Sequence, residues 1–429
     1  MSKIQDVFAA KVPTLRAEVK TMLEKYGTKK ISDVDTSQVF GGMRGITGMI
    51  CTTSLVDPIK GLIVRGIPIL DLSDKLCEEI IYLLATGELP NKEDLADLQA
   101  EIRRYSEVPG YVWKALEALP EDTHPMTSLS IGILAMQRES KFRAEYDKGI
   151  AKTEYWRPIL DDALMLIGRV PTLAAGIYRM RFKKGPRIDP DPSLDWGSNY
   201  AQMLGVSDDK TFMDYVRLYL VLHCDHEGGN VSAFTNHVVS SALSDLFLSI
   251  SAGLNGLAGP LHGLANQECL RYILGILDHF GGVPSDEQLV QFAWDTLNSG
   301  RVIPGYGHAV LRATDPRFMA FLDFGKKCCS DSPVFQLVEK HFKLVPKVLQ
   351  EHGKAKNPWP NVDAASGALL YHYGLKEFDY YTVLFGVSRV MGMSAQVLYA
   401  RAVGSPIVRP KSIDWEGIQE FFEKGIVRE

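Results

Sequence analysis

The chain has no excess of basic charge. Its 47 Lys and Arg are outnumbered by 52 Asp and Glu, a formal net charge of −5, and the absence of a positive field argues against a nucleic-acid partner. Cysteine is scarce: Cys51, Cys77, Cys224, Cys269, Cys328 and Cys329 form no CxxC pair and no framework spacing. They read as reduced, mostly buried thiols of an intracellular protein. No apolar run reaches the ~18 residues that a membrane helix needs, and even the segment Tyr380–Val403 is interrupted by Arg389 and Arg401. The N-terminus, Met-Ser-Lys-Ile-Gln-Asp, lacks a signal peptide's apolar core and has an early acid that transit peptides avoid. The expectation is a soluble chain already in its working form. Internal repeats and low-complexity tracts are missing too.

What is present is helical periodicity. At 429 residues, with 46% apolar and 23% charged side chains, the chain is long enough for two domains of ordinary globular composition. Amphipathic helices are predicted at 5–26, 73–86 (stopped by Gly87), from Asn91 through Leu95, Leu98 and Ile102, and at 125–138. A helix at 157–182 is expected to break or kink at Pro171. Others follow at 208–223, at 286–297 behind Ser285, at 333–352 behind Ser332 and Pro333, and at 380–402. The almost uncharged, Ser/Ala/Gly-rich segment 238–258 reads as one buried helix, in the interior or at a subunit interface. Two β-prone runs, Met49–Leu55 and Leu62–Ile67, suggest a hairpin. The fold class expected is all-α, with a minor β-hairpin near the N-terminus. A large helical domain (1–264 and 379–429) carries a smaller inserted helical domain (265–378).

The stretch Asn298–Arg317 concentrates chemistry. Gly300, Gly305, Gly307 and Pro304 exclude a helix there, and His308, Arg312 and Arg317 add a titratable group and two cations. It is either a glycine-rich surface turn or a loop built around an anion. His226, His262 and Asp363 likewise sit beside glycines or prolines where helices end. His223 continues an apolar stripe and reads as a core histidine more than as a ligand. A His223/His226 metal pair is disfavoured because the helix breaks just beyond it and no HExxH follows. Arg389, inside an apolar helix, requires an anion, either a structural carboxylate or a ligand. Arg317, Arg389 and Arg409 together suit a polyanion. Lys354 and Lys356 meet phosphates or only solvent.

These motifs resemble the citrate synthase family, of the mitochondrial, eukaryotic-like type. The resemblance rests on Gly305-Tyr-Gly-His308 through Asp315-Pro-Arg317, His223-Cys-Asp-His226-Glu-Gly-Gly-Asn230 and Gly259-Pro-Leu-His262-Gly. Asn357-Pro-Trp-Pro-Asn-Val-Asp363, Phe385-Gly-Val-Ser-Arg389 and Arg409-Pro-Lys complete it in the same order. It implies condensation of acetyl-CoA with oxaloacetate and water to citrate and CoA, through an enol or enolate and citryl-CoA. Asp363 would be the base, His262 the enol stabiliser and His308 the group polarising oxaloacetate. His226, Asn230, Arg317, Arg389 and, from the second subunit of a homodimer, Arg409 would bind oxaloacetate. Arg44, Val302, Ile303, Gly305, Arg312, Lys356 and Asn361 would hold CoA, a co-substrate; no permanent cofactor and no metal are expected.

The resemblance also implies a mobile, CoA-binding small domain that closes on the large one. Phe234 and Ala365 stand where animal relatives usually have histidine, and Lys152 where an arginine is expected near the CoA phosphates, which bears on CoA affinity. Two alternatives stay open: a sister activity on propionyl-CoA, and a catalytically idle CoA-binding scaffold. Location is expected to be the bacterial cytoplasm, or the mitochondrial matrix for a processed eukaryotic chain.

Overall fold

The computed structural model describes residues 2–308 and 310–425. Helices dominate it, and the strands described form one three-stranded antiparallel sheet. That sheet pairs Ser54–Asp57 with Gly61–Val64, and Gly61–Val64 with Ile67–Pro68. It begins later than the β-prone run at Met49 suggests. Thr53 and Ser54 turn their hydroxyls to the buried Asp225 carboxylate, so the chain before them follows the 225–229 loop and finds no strand partner. It also has a third strand, because Arg65 and Gly66 take φ of 50° and 82°, the left-handed pair of a tight hairpin turn.

The interior is organised by the helix Tyr381–Val403, buried along almost its whole length and packed on Trp156–Arg181. The segment Phe378–Val403 is apolar and long enough to cross a membrane, yet 83% of its most apolar window is buried inside the fold. It is a core helix.

The expectation that 238–258 forms a single helix fails, and of the break or kink expected at Pro171 the break does not occur. Trp156–Arg181 runs unbroken through Pro171. Proline cannot donate to the carbonyl four residues back, but the Trp196 indole N–H takes over that acceptor, Ile167 O, at 2.8 Å. The segment 238–258 is not one helix. Val231–Ser241 ends, Leu243 adopts φ 64°, and Leu246–Leu257 begins. Asp245, the one charge in the segment, caps the second helix through Leu248 N at 3.1 Å. The buried Arg401 donates to Ser240 O and Ser244 O, at 2.5 and 3.0 Å, satisfying carbonyls that the break leaves bare.

Between residues 265 and 372 lie the helices Ala265–Phe280, Asp286–Asn298, Pro316–Cys328, Pro333–His352 and Asp363–His372. Besides the main core, a second apolar cluster gathers here: Ala293, Leu297, Ile303, Val345, Val348 and Leu349. All six cysteines are unpaired; Cys77, Cys224, Cys269 and Cys329 are buried, and Cys51 and Cys328 partly so.

One surface feature stands out. The helix Lys3–Tyr26 buries Ile4, Phe8 and Val12 but exposes Val19, Met22, Leu23 and Tyr26 in its second half. Ile31, Val34, Val39 and Phe40 are exposed beyond it, as are Trp415, Phe421 and Phe422 of the helix Trp415–Lys424. Phe40 stacks on Trp415 with ring centroids 5.2 Å apart. Monomeric proteins rarely show water this much clustered apolar surface.

Candidate active site

The glycine loop and the proline-stiffened arm are joined edge to edge. Tyr306 and Pro360 form an antiparallel bridge. Gly307 N donates to Trp359 O (3.1 Å), Asn361 N to Gly305 O (2.9 Å), and Asn361 Nδ2 to Gly307 O (3.0 Å). Gly305 and Gly307 hold φ of 81° and 96°, which glycine adopts at little cost. A Cβ on Gly305 would meet Cys269 Sγ at 2.8 Å and Ala364 Cβ at 2.9 Å, so this loop lies directly on the first turn of Asp363–His372.

Asp315 fastens the assembly from beneath. Its buried carboxylate accepts from Arg317 Nη2 (2.7 Å), Arg317 Nε (3.1 Å) and, across to the arm, Val362 N (3.2 Å). Its own amide donates to Pro360 O. Burial would raise the Asp315 carboxyl, but Arg317 more than offsets this and holds it low. Burial would likewise lower Arg317, and Asp315 holds it high. The pair is therefore ionised, and it fixes one cation at the cavity wall.

The cavity of about 190 Å³ is lined by His223, His226, Asn230, His262, His308, Arg317, Asn361, Val362, Asp363, Phe385 and Arg389. The protonation of two imidazoles follows from their neighbours. His308 Nδ1 accepts from Val310 N and Leu311 N, each at 3.0 Å. Backbone amides can only donate, so the ring proton is on Nε2. His262 Nε2 accepts from Ser232 N at 3.3 Å, at the first turn of Val231–Ser241, with Ser232 Oγ 3.0 Å away. Its proton is therefore on Nδ1. Both rings are neutral donors. Burial, assisted by Arg389, pushes His262 down to about 4, and burial with Arg317 also lowers His308. His226 is likewise lowered, by burial first and then by Arg317 and Arg389; its ring lies 6.0 Å from that of His308.

Asp363 has the opposite character. Burial raises its carboxyl to about 6, with Arg317 opposing and Asp315 assisting. Its amide donates to Asn361 Oδ1 at 3.0 Å, so the arm sets its direction. Arg389 is buried. It gives Nε to His223 O at 3.2 Å and lays its guanidinium 4.7 Å from the Phe385 ring centroid. His223 packs on Tyr219 and bonds Tyr219 O through Nδ1 at 2.8 Å; it is a core histidine with one side on the cavity. Asn230 caps Val231–Ser241 through Ala233 N, while its Nδ2 donates to His226 O. Among the described residues, no three His, Cys, Asp or Glu side chains form a group that could hold a metal ion.

Of the residues singled out in the sequence, His226, Asn230, His262, His308, Arg317, Asn361, Asp363 and Arg389 therefore share one cavity. Arg44, Val302, Arg312, Lys356 and Arg409 are exposed and outside its lining; Ile303 is buried in the second apolar cluster. Arg312 Nη1 is turned onto Val310 O and Leu311 O at 2.9 and 2.7 Å. Sequence reasoning missed Ser232, Phe385 and Asp315 as parts of the site. Asp315 stood two residues before Arg317, a spacing that lets a helix cap grip the cation following it.

Fold and site together fit one class: a helical enzyme whose cavity sets acid–base groups beside cations suited to a small polyanion. The family model "Citrate synthase, C-terminal domain" matches residues 42–411. The mitochondrial citrate synthase of Daucus carota is 47% identical over 423 residues, 96% of this chain and 89% of the relative. That of Saccharomyces cerevisiae is 46% identical over 431 residues, 98% and 90% respectively. Among solved structures, the citrate synthase from Pyrobaculum aerophilum superposes with a TM-score of 0.80 at 28% identity, covering 90% of this chain and 96% of that one. The chain belongs to the citrate synthase family, and its activity is of that acyltransferase kind.

Proposed function

We propose that this cavity condenses acetyl-CoA with oxaloacetate and water, giving citrate and CoA. The observation that carries the reading is the meeting of one buried carboxylate of raised pKa with two neutral imidazoles, each holding a proton on the nitrogen that protein amides leave free. Asp363 removes a proton from the thioester methyl group, and His262 Nδ1–H stabilises the thioester oxygen as it takes up charge. The enol carbon attacks the oxaloacetate ketone while His308 Nε2–H donates to the ketone oxygen. Water then attacks the citryl thioester carbonyl and the C–S bond breaks, so that the water oxygen ends in a carboxylate of citrate and the sulfur leaves as the CoA thiol.

Arg317, Arg389 and His226 hold the dicarboxylate, with Asn230 keeping the His226 turn in place. Exposed Arg44, Arg312 and Lys356, Asn361 and the backbone from Val302 to Gly305 take the CoA phosphates and adenine. The chain works as a homodimer in which Arg409 reaches the partner's site; the exposed apolar surface of Lys3–Tyr26, Phe40 and Trp415–Lys424 supports this assembly. Residues 265–378 act as a small domain that closes on 1–264 and 379–429, excluding water before the thioester is activated. Of the two locations considered, the mitochondrial names of the relatives support the matrix.

Thiol release with oxaloacetate present tests the reading. Acetyl-CoA is expected to release CoA much faster than propionyl-CoA. Equal or faster release from propionyl-CoA would reassign the acyl substrate, and none from either would overturn the condensation.

A further inference from the structure

Asp225 is fully buried and has no part in the chemistry above. Its carboxylate is nonetheless held by three donors from two distant elements. Thr53 Oγ1 and Ser54 Oγ donate to Oδ2 at 2.5 and 2.9 Å, and Gln396 Nε2 donates to Oδ1 at 2.8 Å. The helix Tyr381–Val403 makes room for it with a glycine: a Cβ on Gly392 would lie 2.5 Å from Asp225 Oδ1. Burial raises the carboxyl, and the hydrogen bonds it receives from Thr53 and Ser54 oppose that rise.

Burying that charge is costly unless it is compensated. Asp225 forms no direct ion pair among the described residues. The cation that compensates it is Arg389, on the same helix as Gln396 and two turns before it. Burial pulls Arg389 down to about 10, and Asp225 is the group that most opposes that fall. Apart from Nε, Arg389 has no protein hydrogen-bond acceptor among the described residues, although it lines the cavity.

We infer that Asp225 is a positioning residue of the dicarboxylate site: a buried counter-charge, held away from Arg389 by Thr53, Ser54 and Gln396, that keeps the guanidinium charged while leaving its terminal nitrogens open to a ligand carboxylate. A carboxylate in direct contact would occupy those nitrogens and compete with substrate. One placed behind them keeps Arg389 charged in the empty site, and it gives up part of the dianion affinity in exchange. This inference rests on the proposed role of Arg389 in oxaloacetate binding.

The consequence is a gain in dicarboxylate affinity without a loss of stability. Asp225→Asn keeps the shape, and both hydroxyls can reverse to accept from the new amide. The ligand-free variant should melt close to or above wild type, because burial raises the Asp225 carboxyl even with Arg389 opposing, and removing that buried charge offsets what Arg389 loses. Malate, a non-reacting dicarboxylate, should bind about 3- to 10-fold tighter, because the cavity becomes more positive. A merely structural role would weaken both. Titration calorimetry with malate and thermal melts without it read the two quantities. Unchanged or weaker malate binding by the folded variant would overturn the inference. Should Asp225→Asn fail to fold, the double variant Asp225→Asn/Arg389→Met, which removes both charges, is expected to recover a cooperative melt, and its failure to do so would overturn the inference equally. Wild-type protein that binds no malate would instead count against the dicarboxylate reading of the site.

Discussion

At the scale of single residues, the proposed role of Asp363 as base would join stability to catalysis. Its carboxyl sits at about 6 in the folded protein because burial disfavours the charge; in an unfolded chain it titrates near 4. Ionisation therefore costs the native state. The cost is full above about 6 and vanishes below about 4, where both forms are protonated. Replacing Asp363 with Asn should raise the thermal midpoint at pH 8, by up to about 3 kcal/mol in stability, and leave it unchanged at pH 4. The same substitution should lower turnover by about 10²- to 10⁴-fold, and wild-type turnover should fall as pH drops through about 6. Melts at the two pH values and a pH–rate profile read all three. Asp363 and His308 were legible in the sequence because they stand beside prolines and glycines that end helices. Asp315 and Ser232 were not. Asp315 grips Arg317 nearby, but it also holds Val362, and Ser232 meets His262, 47 and 30 residues away, and no local pattern records those distant partners.

At the scale of elements, two glycines of one loop should behave differently. Gly300 and Gly305 have nearly equal φ, 80° and 81°, but a Cβ on Gly300 meets nothing within 4 Å, while on Gly305 it strikes Cys269 and Ala364. Gly300→Ala should cost about 1 kcal/mol from backbone conformation alone. Gly305→Ala should also push the loop off the Asp363 helix and reduce kcat about 10²-fold, since an ångström of misplacement has that effect. Steady-state kinetics beside circular dichroism separates the two, helix content staying the same in both. Helix ends were readable where the stop is local: Asn91 bonds Glu93 N and Asp94 N, and Gly87 closes its helix at φ 83°. The break at 242–245 was not, because Ala242, Leu243 and Ser244 are no breakers and the group that satisfies the carbonyls of Ser240 and Ser244 is the distant Arg401. Pro171 misled for the same reason, its rescuer being Trp196.

At the scale of the whole molecule, the apolar surface at both ends of the chain and the solvent-exposed Arg409 make one prediction. If the chain assembles as the proposed homodimer, Arg409→Ala and His262→Ala should each abolish turnover, whereas purified mixed dimers regain up to one working site of two. No recovery in verified mixed dimers would assign each site to a single chain. The all-helical class was readable from periodicity. The shape of the cavity was not, because it depends on the bridge between Tyr306 and Pro360, which closes only in three dimensions. That bridge also dictates an order in time. The loop and the arm are separated by the helices Pro316–Cys328 and Pro333–His352, which must form and double back before the two can meet. A chain refolding from denaturant is thus expected to recover helix content before turnover, because this long closure stands between the two.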